Sequence, residues 1–321
     1  MSREHLLTRQ IEEYIGYKQG LGFKILVEAE ELRRFAKFTR GVGHTGPLTT
    51  DVLMKWLTQN PAHTRWYKAR RLETVINFAK YVVVFDPRTE MPPKGVFGRC
   101  HGRTTPRIVT EDEIKLIMEH AKRLVSPDGL RGLTTATAFG LLWSTGLRPS
   151  ELCRLLMTDV DLREGLVHVR ETKFCKERIV PLHESTRDAL QEYAYARDAL
   201  HPNDGKLHFF LSTRGAPLGL RQLEYAMQIV RPYLGEGSLP GRRCTPRLYD
   251  LRHSFACITI QRWMVAGEDI NHKLLQLSTY LGHVKPSDTY WYLTGTPELF
   301  TLAGDRFEEY VDSFNHGDSH E

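Results

Sequence analysis

The sequence predicts a mainly α-helical protein with one small β-sheet, divided between two domains. Most of the chain carries apolar residues at helical spacing, which predicts amphipathic helices. Two short apolar segments, GLVHVRE and ERIVPLH, are joined by the turn TKFCK and read as a pair of strands. The length of 321 residues exceeds what one ordinary core organises, so two domains are expected.

The first domain, residues 1–95, is predicted to be a helical bundle. Four segments have apolar residues at helical spacing: EHLLTRQIEEYIGYKQGLG, VEAEELRRFAKFTRGVG, TTDVLMKWLTQN and HTRWYKARRLETVINFAKYVVVFD. The first two end in glycines and the third starts at a threonine cap, as helices commonly do. Four helices of this length make a small bundle.

A basic linker at residues 96–109 is predicted to separate the bundle from the second domain, residues 110–321. The stretch DPRTEMPPKGVFGRCHGRTTPRIV, residues 86–109, contains this linker; it is rich in Pro, Gly and Arg and has no periodicity. The second domain opens at Thr110, which matches a capping box with Glu113. Helical patterns run to about residue 156 and resume after the strands. The later helical segments are 184–200, 219–234, 249–266, 270–281 and the amphipathic 297–314.

The charge distribution favours a polyanion as the partner of the first domain. The chain carries a net charge of +5, but residues 1–104 hold 18 Lys and Arg against 10 Asp and Glu, whereas the rest holds 26 against 29. Nucleic acid is the simplest such polyanion, although a merely solvated surface is an equal alternative on charge alone. Arg65, Lys68 and Arg71 lie on adjacent turns of the fourth helix and form a candidate phosphate-contacting stripe.

Composition also excludes several classes of protein. No run of about 18 apolar residues is present, and the N-terminus lacks the apolar run of a signal peptide, so no membrane or secretory role is expected. The five cysteines are scattered and none forms a CxxC pair. This pattern predicts reduced thiols in the cytoplasm and no zinc site.

Two motifs place cations where they could bind a phosphate. TGLRPSEL puts Arg148 between a helix-ending glycine and Pro149, with Glu151 one turn further on. A guanidinium there suits bidentate phosphate binding, although a structural Arg–Glu pair is the simpler explanation of this motif alone. Lys173 lies in the turn between the strands, where an ordinary charged hairpin tip is the alternative.

Two further motifs lie later in the domain. RLYDLRHSFA puts Arg252 and His253 early in a helix, where free amides and the helix dipole attract phosphate. LGHVKPSDTYWYL places His283 after a helix-ending glycine and carries Tyr290 and Tyr292 beyond a proline. Taken alone, the first motif is as easily a solvated first turn, and the aromatic pair is more easily core packing.

The motifs occur together and in one order, which none of the structural alternatives explains. TGLRPSEL, a hairpin lysine, LRHSFA, LGH and a tyrosine nine residues after that histidine lie within one domain of about 200 residues. The chain thereby resembles the tyrosine recombinases, or phage integrase family, over nearly its whole length. The resemblance implies a SAM-like core DNA-binding domain at 1–95, followed by an α+β catalytic domain.

The resemblance also assigns roles to residues of this sequence. The catalytic residues that it implies are Arg148, Lys173, Arg252, His283 and Tyr292, with Glu151 as the acidic neighbour of Arg148. On an uninterrupted helix His283 would share a face with Tyr290, but Pro286 breaks the helix and makes that count unreliable. The family register selects Tyr292 as the nucleophile. Tyr290 and Trp291 are then expected to pack this segment against the domain.

The sequence departs from the family pattern at Tyr249, where a catalytic histidine is usual. A phenol titrates near 10 and is a poor proton acceptor at neutral pH, but it can donate a hydrogen bond to a phosphate oxygen. His253 is a weak candidate for the missing function, because it points about 100° away around the helix.

The implied function is site-specific recombination of DNA through a 3′-phosphotyrosyl intermediate, for integration, excision or resolution of a mobile element. The implied partners are double-stranded DNA at a specific site and a homotetramer assembled on it, with sister recombinases or an accessory protein as further partners. No metal or other cofactor is expected, and the location is cytoplasmic, at the nucleoid. The rival functions are DNA relaxation of the type IB topoisomerase kind, DNA binding by a decayed site, and a purely structural helical protein.

Overall fold

The computed structural model describes residues 5–98, 107–170, 177–202, 207–234 and 245–294. The chain separates into two compact units, Met1–Thr104 and Thr105–Glu321. Most of the predicted linker, the hairpin turn with Lys173 and the amphipathic segment 297–314 lie outside the described residues. None of the helices in these ranges combines the length and apolar character that crossing a bilayer requires.

The described part of the first unit is built from four helices. They are α1 (Leu6–Gly20), α2 (Leu26–Gly41), α3 (Thr50–Thr58) and α4 (Arg65–Val82). Thr49 and Thr64 cap α3 and α4, because their hydroxyls accept hydrogen bonds from backbone amides in the first turn. The apolar faces meet in one core, where the rings of Phe35 and Trp56 have centroids 5.0 Å apart. The helical periodicity of the sequence therefore identified all four helices.

The structure corrects the phosphate-contacting stripe predicted on α4. Arg71 is 3% exposed, its Nε donates to Glu31 Oε2 at 3.0 Å, and its guanidinium carbon lies 3.4 Å from the centroid of the Trp56 ring. A guanidinium enclosed in this way joins α2 to α4 and cannot reach a phosphate group. Arg65 is exposed and Lys68 is partly exposed, so these two remain candidates for DNA contact.

The second unit consists mainly of helices, arranged around α6. The helices among its described residues are α5 (Glu111–Lys122), α6 (Leu130–Thr145), α7 (Pro149–Leu152), α8 (Glu184–Leu200), α9 (Leu220–Val230), α10 (Leu248–Val265), α11 (Ile270–Leu281) and α12 (Ser287–Tyr290). Short 3-10 helices span Met157–Asp159, Arg231–Leu234 and Trp291–Thr294. α6 is buried along most of its length and packs against α5, α8 and α10. This packing brings the end of α6 next to α10.

The β-sheet of the second unit is antiparallel and has the order β1-β2-β3. Its strands are β1 (Val160–Asp161), β2 (Leu166–Val169) and β3 (Arg178–Pro181). Val167 pairs with Val160 on one side and with Val180 on the other, and both β2 valines face the core. The two predicted strands are confirmed, but β1 was missed because two residues are too few to show a period-2 pattern.

The helix termini also follow the sequence closely. The predicted capping box is complete: the Thr110 amide donates to Glu113 Oε2 at 2.9 Å, and the Glu113 amide donates to Thr110 Oγ1 at 3.3 Å. The predicted segments 184–200, 249–266 and 270–281 correspond to α8, α10 and α11 within one residue. The segment 219–234 is divided, because α9 ends at Val230 and a 3-10 helix follows.

Candidate active site

Two helices of the second unit end in glycines and turn their last carbonyls toward two arginines. α6 ends at Gly146 and α11 ends at Gly282, and both glycines are in the left-handed region with φ of 64° and 66°. Arg252 donates to Gly146 O and to Leu281 O, both at 2.6 Å, and Arg148 donates to Gly282 O at 2.9 Å. The last carbonyls of a helix lack intrahelical donors and carry the negative end of its dipole. The glycines of TGLR and LGH therefore fix the positions of both guanidinium groups.

Gly146 also has a steric reason to be glycine. A Cβ at this position would lie 2.5 Å from a ring carbon of Phe255 on α10. Only a residue without a side chain lets α6 end this close to α10, which is the approach that brings the Gly146 carbonyl to Arg252.

Arg252 is the more deeply buried of the two arginines. It lies in the second turn of α10 and is 0% exposed. Burial and the nearby charge of Arg148 lower the pKa of Arg252, although an arginine stays protonated in a protein. The sequence predicted that Arg252 lies early in a helix, which it does. The structure adds that its two Nη atoms donate to carbonyls at the ends of two other helices.

Glu151 lies between two arginines. The backbone amide of Arg148 donates to Glu151 Oε2 at 3.0 Å, and Arg148 Nη1 donates to Oε1 at 2.6 Å. Arg178, at the start of β3, donates to Oε1 at 3.2 Å and to Oε2 at 2.7 Å. Burial alone would raise the pKa of Glu151, but the hydrogen bonds and charges of Arg178 and Arg148 lower it to about 2. Glu151 is therefore a fully paired carboxylate, and its second arginine was not predicted as a site residue.

His283 follows Gly282 and bridges Arg252 to α12. Its Nε2 lies 3.2 Å from Arg252 Nη2, and its Nδ1 lies 2.7 Å from Thr289 Oγ1. Because a guanidinium only donates, Nε2 accepts and the ring proton is on Nδ1, where it donates to Thr289. Burial and the charges of Arg252 and Arg148 lower the pKa of His283 to about 4. The ring is therefore neutral at pH 7.

Tyr292 lies inside the domain, beside these groups. It is 2% exposed and packs in a small apolar cluster with residues of α10 and α11. Its ring centroid is 6.1 Å from that of His283. Burial raises the pKa of Tyr292 to about 12, although the charge of Arg252 acts in the opposite direction. Tyr290 is 41% exposed, so the expectation that it packs the segment against the domain is wrong, whereas Trp291 does pack there.

Tyr249 and His253 lie one turn apart on α10 and border the same space. Their ring centroids are 5.2 Å apart, and the His253 centroid is 5.5 Å from that of Tyr292. Tyr249 also lies beside Arg148. Burial lowers the pKa of Arg148, but the Glu151 carboxylate and the Tyr249 hydroxyl raise it by more, so the net shift is upward. His253 thus lies closer to Tyr292 than its position around the helix suggested. The reason is that the Trp291–Thr294 turn packs across this side of α10.

The structure brings most of the predicted site residues together. Those that share the site are Arg148, Glu151, Tyr249, Arg252, His283 and Tyr292. Lys173 lies outside the described residues. Arg178 was missed because nothing in ERIVPL distinguishes it from other charged residues of a hairpin.

The three arginines and one carboxylate of this site sum to a charge of +2 if the arginines are protonated and Glu151 is ionised. Such a set favours an anion, and a phosphate group offers the oxygens that guanidinium donors fit. The site is poorly suited to a metal cation, because two arginines saturate the Glu151 carboxylate and the Nε2 lone pair of His283 accepts from Arg252.

Comparison with known proteins agrees with this chemistry. Residues 107–298 match the phage integrase family. A protein of Sinorhizobium fredii named integrase/recombinase y4rE is 36% identical over 302 residues, which are 94% of this chain and 95% of that protein. The tyrosine recombinase XerC of Herpetosiphon aurantiacus is 28% identical over 295 residues, which are 89% of this chain and 90% of that protein.

Solved structures share the fold. The Tn1549 transposon integrase in complex with transposon right end DNA superposes with a TM-score of 0.67 at 16% identity, over 95% of this chain and 99% of that one. The XerH site-specific recombinase bound to palindromic difH substrate gives a TM-score of 0.63 at 18% identity, over 87% of this chain and 78% of that one. At such low identity the likeness concerns the fold, and it confirms the predicted fold class.

Proposed function

This chain belongs to the phage integrase family, and from that premise we propose that it is a site-specific tyrosine recombinase that cuts and rejoins DNA through a 3′-phosphotyrosyl intermediate. The observation that carries the proposal is the convergence of Arg148, Arg252 and His283 beside a buried tyrosine, Tyr292. These residues come from four separate parts of the second unit. Packing alone does not require two arginines, a histidine and a tyrosine to meet there.

In this proposal the hydroxyl oxygen of Tyr292 attacks the phosphorus of a DNA phosphodiester. The bond between phosphorus and the 5′ oxygen breaks, which leaves a 3′-phosphotyrosyl link and a free 5′-hydroxyl. One proton leaves the phenol and one reaches the 5′ oxygen, so the step is balanced; Lys173 supplies the second proton. The covalent link conserves the phosphodiester, so a 5′-hydroxyl of another DNA strand can reverse the step and complete an exchange.

Arg148 and Arg252 stabilise the charge on the non-bridging oxygens. Helix carbonyls and Glu151 already hold both guanidinium groups in place, so little reorganisation is needed when a phosphate arrives. A bound phosphate carries the charge opposite to that of imidazolium and favours protonation of His283. Protonation of Nε2 ends its hydrogen bond from Arg252 Nη2, and the protonated ring then donates through Nε2 to a phosphate oxygen.

His253 accepts the phenolic proton in this mechanism. The family's usual histidine is replaced by Tyr249, whose phenol is a poor acceptor at neutral pH. His283 is engaged by Arg252 through the lone pair of its Nε2. The ring of His253 is the second imidazole beside the nucleophile, with its centroid 5.5 Å from that of the Tyr292 ring.

The DNA partner is a double-stranded recombination site, and the biological setting is a mobile element. A protein named integrase/recombinase and a transposon integrase are among the relatives and neighbours, which supports a role in integration, excision or resolution. The first unit contacts the duplex through cations such as Arg65 and Lys68. Four protomers assemble on two duplexes, linked by their segments 297–314, at the nucleoid of the cell.

Covalent capture of DNA tests the proposal. Duplexes selected from a random-sequence pool by binding to the full chain are nicked at successive positions, so that cleavage releases a short strand and traps the adduct. The wild type is expected to form an adduct that survives denaturation, Tyr292→Phe to form none while still binding, and the exposed control Tyr290→Phe to behave like the wild type.

Two other outcomes would identify a rival function. Binding without any wild-type adduct would show a non-catalytic DNA-binding protein. An adduct with relaxation of supercoiled DNA but no joining between two duplexes would show a type IB topoisomerase activity.

A further inference from the structure

We propose that Arg178 is a positioning residue for phosphate binding: it neutralises and orients Glu151, so that the charge of Arg148 remains available to the scissile phosphate. The inference rests on the proposed function. It adds to the site a residue of β3 that does not touch the phosphate itself.

The geometry points to a bidentate pair. Arg178 places Nη1 at 3.2 Å from Glu151 Oε1 and Nη2 at 2.7 Å from Oε2. The remaining acceptor positions of the carboxylate are taken by the amide and Nη1 of Arg148, at 3.0 and 2.6 Å. A carboxylate offers about four lone-pair positions, so two arginines saturate Glu151 and allow it one orientation.

The burial of the three groups sets how strong this effect is. The Glu151 side chain is 1% exposed and the Arg178 side chain 10%, whereas that of Arg148 is 20% exposed. Water therefore screens the Glu151–Arg178 pair poorly, and Arg148 is the member of the group that a ligand can reach most easily. Arg178 forms a bidentate pair with the carboxylate and its side chain is half as exposed as that of Arg148, so we place its role in holding Glu151.

The charges explain why the second arginine is needed. Arg148 and Glu151 alone would cancel, and the phosphate would meet a hydrogen-bond donor with little net charge behind it. Arg178 returns the group to +1, and Arg252 supplies a second positive charge. A phosphodiester carries one negative charge, and the negative charge on its non-bridging oxygens grows as a new P–O bond forms. The loss of one positive charge from the site therefore destabilises the transition state more than the ground state.

The test combines charge removal on the protein with charge removal on the DNA. Adduct formation is measured in single turnover for wild type, Arg178→Met, Arg178→Lys, Glu151→Gln and Arg178→Met/Glu151→Gln. Each is tested on a nicked site with a normal phosphate and on the same site with a neutral methylphosphonate at the scissile position. Arg163→Met, which alters an arginine whose side chain is 93% exposed, is the matched control.

We expect Arg178→Met to form the adduct on phosphate DNA roughly 10- to 100-fold more slowly than the wild type. This loss is smaller than the roughly 100- to 1000-fold loss typical when a direct donor to the reacting charge is removed, because Arg178 acts through Glu151. Adding Glu151→Gln restores the net charge and should recover about tenfold of that loss. The loss of rate should be smaller on methylphosphonate DNA. Arg178→Lys keeps the charge, so its rate should lie between those of the wild type and Arg178→Met. It is the variant to use if Arg178→Met does not fold. Arg163→Met should match the wild type.

Two results would overturn the inference. The double variant could be no faster than Arg178→Met, or the loss could be equal on both DNAs; either would mean that Arg178 only packs β3 against the domain. Absence of an adduct with the wild type would count against the proposed function and this inference together. A wild-type adduct with an unrescued Arg178→Met would count against this inference alone.

Discussion

At the scale of residues, the site holds an imidazole and a phenol that both resist ionisation. Burial and two arginines lower the pKa of His283 to about 4, and burial raises the pKa of Tyr292 to about 12. At neutral pH Tyr292, the proposed nucleophile, is therefore protonated, and the neighbouring His283 has its lone pair engaged by Arg252. Attack on a phosphate requires another group to accept the phenolic proton, and we propose His253 for that role.

The first prediction concerns that proton. Replacing His253 by Gln should slow formation of the adduct about 100-fold, within the range usual for loss of a general base, while DNA binding is retained. Introducing Tyr249→His in the same chain should restore much of the rate, because it returns an imidazole to the position where the family usually has one. The measurement is single-turnover adduct formation on a nicked site.

A modified nucleophile provides the control for this prediction. Fluorinated tyrosine at position 292 has a more acidic phenol and depends less on a base, so it should reduce the difference between His253→Gln and the wild type. If the loss is the same with tyrosine and fluorotyrosine, His253 serves the packing of Trp291 and Tyr292 and accepts no proton.

The limits of the sequence at this scale are physical. TGLR, LRH and LGH are short motifs at helix ends, and their order was enough to choose Arg148, Arg252 and His283. Which carbonyl or ring each side chain meets depends on contacts between residues more than a hundred positions apart, such as Arg252 with Gly146. Arg178 was missed because ERIVPL does not distinguish it from other charged residues of a hairpin, and its partner Glu151 lies 27 positions away on another element.

At the scale of elements, the segment after Pro286 connects His283 to Tyr292. Thr289 of α12 is 1% exposed and accepts the Nδ1 proton of His283, and the 3-10 turn that follows carries Tyr292 into the apolar cluster. With Tyr292 2% exposed, a DNA phosphate reaches its hydroxyl only if this segment shifts. The hydrogen bond to Thr289 ties such a shift to the orientation of His283.

The second prediction concerns α4 and separates stability from DNA contact. Arg71→Met removes one of three donors to the Glu31 carboxylate, which keeps Arg34 and Tyr67, so the cost should be below the roughly 3–5 kcal/mol typical when a buried charge loses its partner. We expect a clear fall in the denaturant midpoint of the first unit, with the salt dependence of DNA binding unchanged. Lys68→Ala should do the opposite: it should leave stability nearly unchanged and reduce the slope of log affinity against log salt by about one.

A reduced salt slope for Arg71→Met at unchanged stability would restore Arg71 to the DNA-contacting surface and contradict the structure. The sequence could not make this distinction. Residues 65, 68 and 71 share one side of a helix, but the pattern does not show that Glu31 and Trp56 of other helices enclose the last of them. Local signals were more reliable: the Thr110–Glu113 capping box was predicted correctly because both partners lie within one turn.

At the scale of the whole molecule, charge is distributed unevenly. Residues 1–104 carry a net charge of +8, from 18 Lys and Arg against 10 Asp and Glu, whereas the rest of the chain is slightly acidic. In the proposed function the basic first unit holds duplex DNA by its phosphates, and the second unit supplies the residues that cleave it. Binding should therefore weaken steeply with salt, chiefly through the first unit.

The last prediction concerns assembly. The sequence of residues 297–314 predicts an amphipathic helix with Leu299, Phe307, Tyr310 and Phe314 on its apolar face and acidic and polar residues opposite. Such a segment packs either on its own domain or on a neighbour. Exchange between protomers in one direction around a ring is heterologous and closes only at the right angle, so DNA should be needed to form it.

We expect a monomer or weak dimer in solution and a tetramer on two DNA sites. Deleting 297–321 should spare binding to single sites and abolish the tetramer and strand exchange, whereas deleting only 315–321 should leave both intact. Sedimentation of each protein with its recombination site measures the outcome, and a tetramer that survives the longer deletion would mean that the segment packs on its own domain.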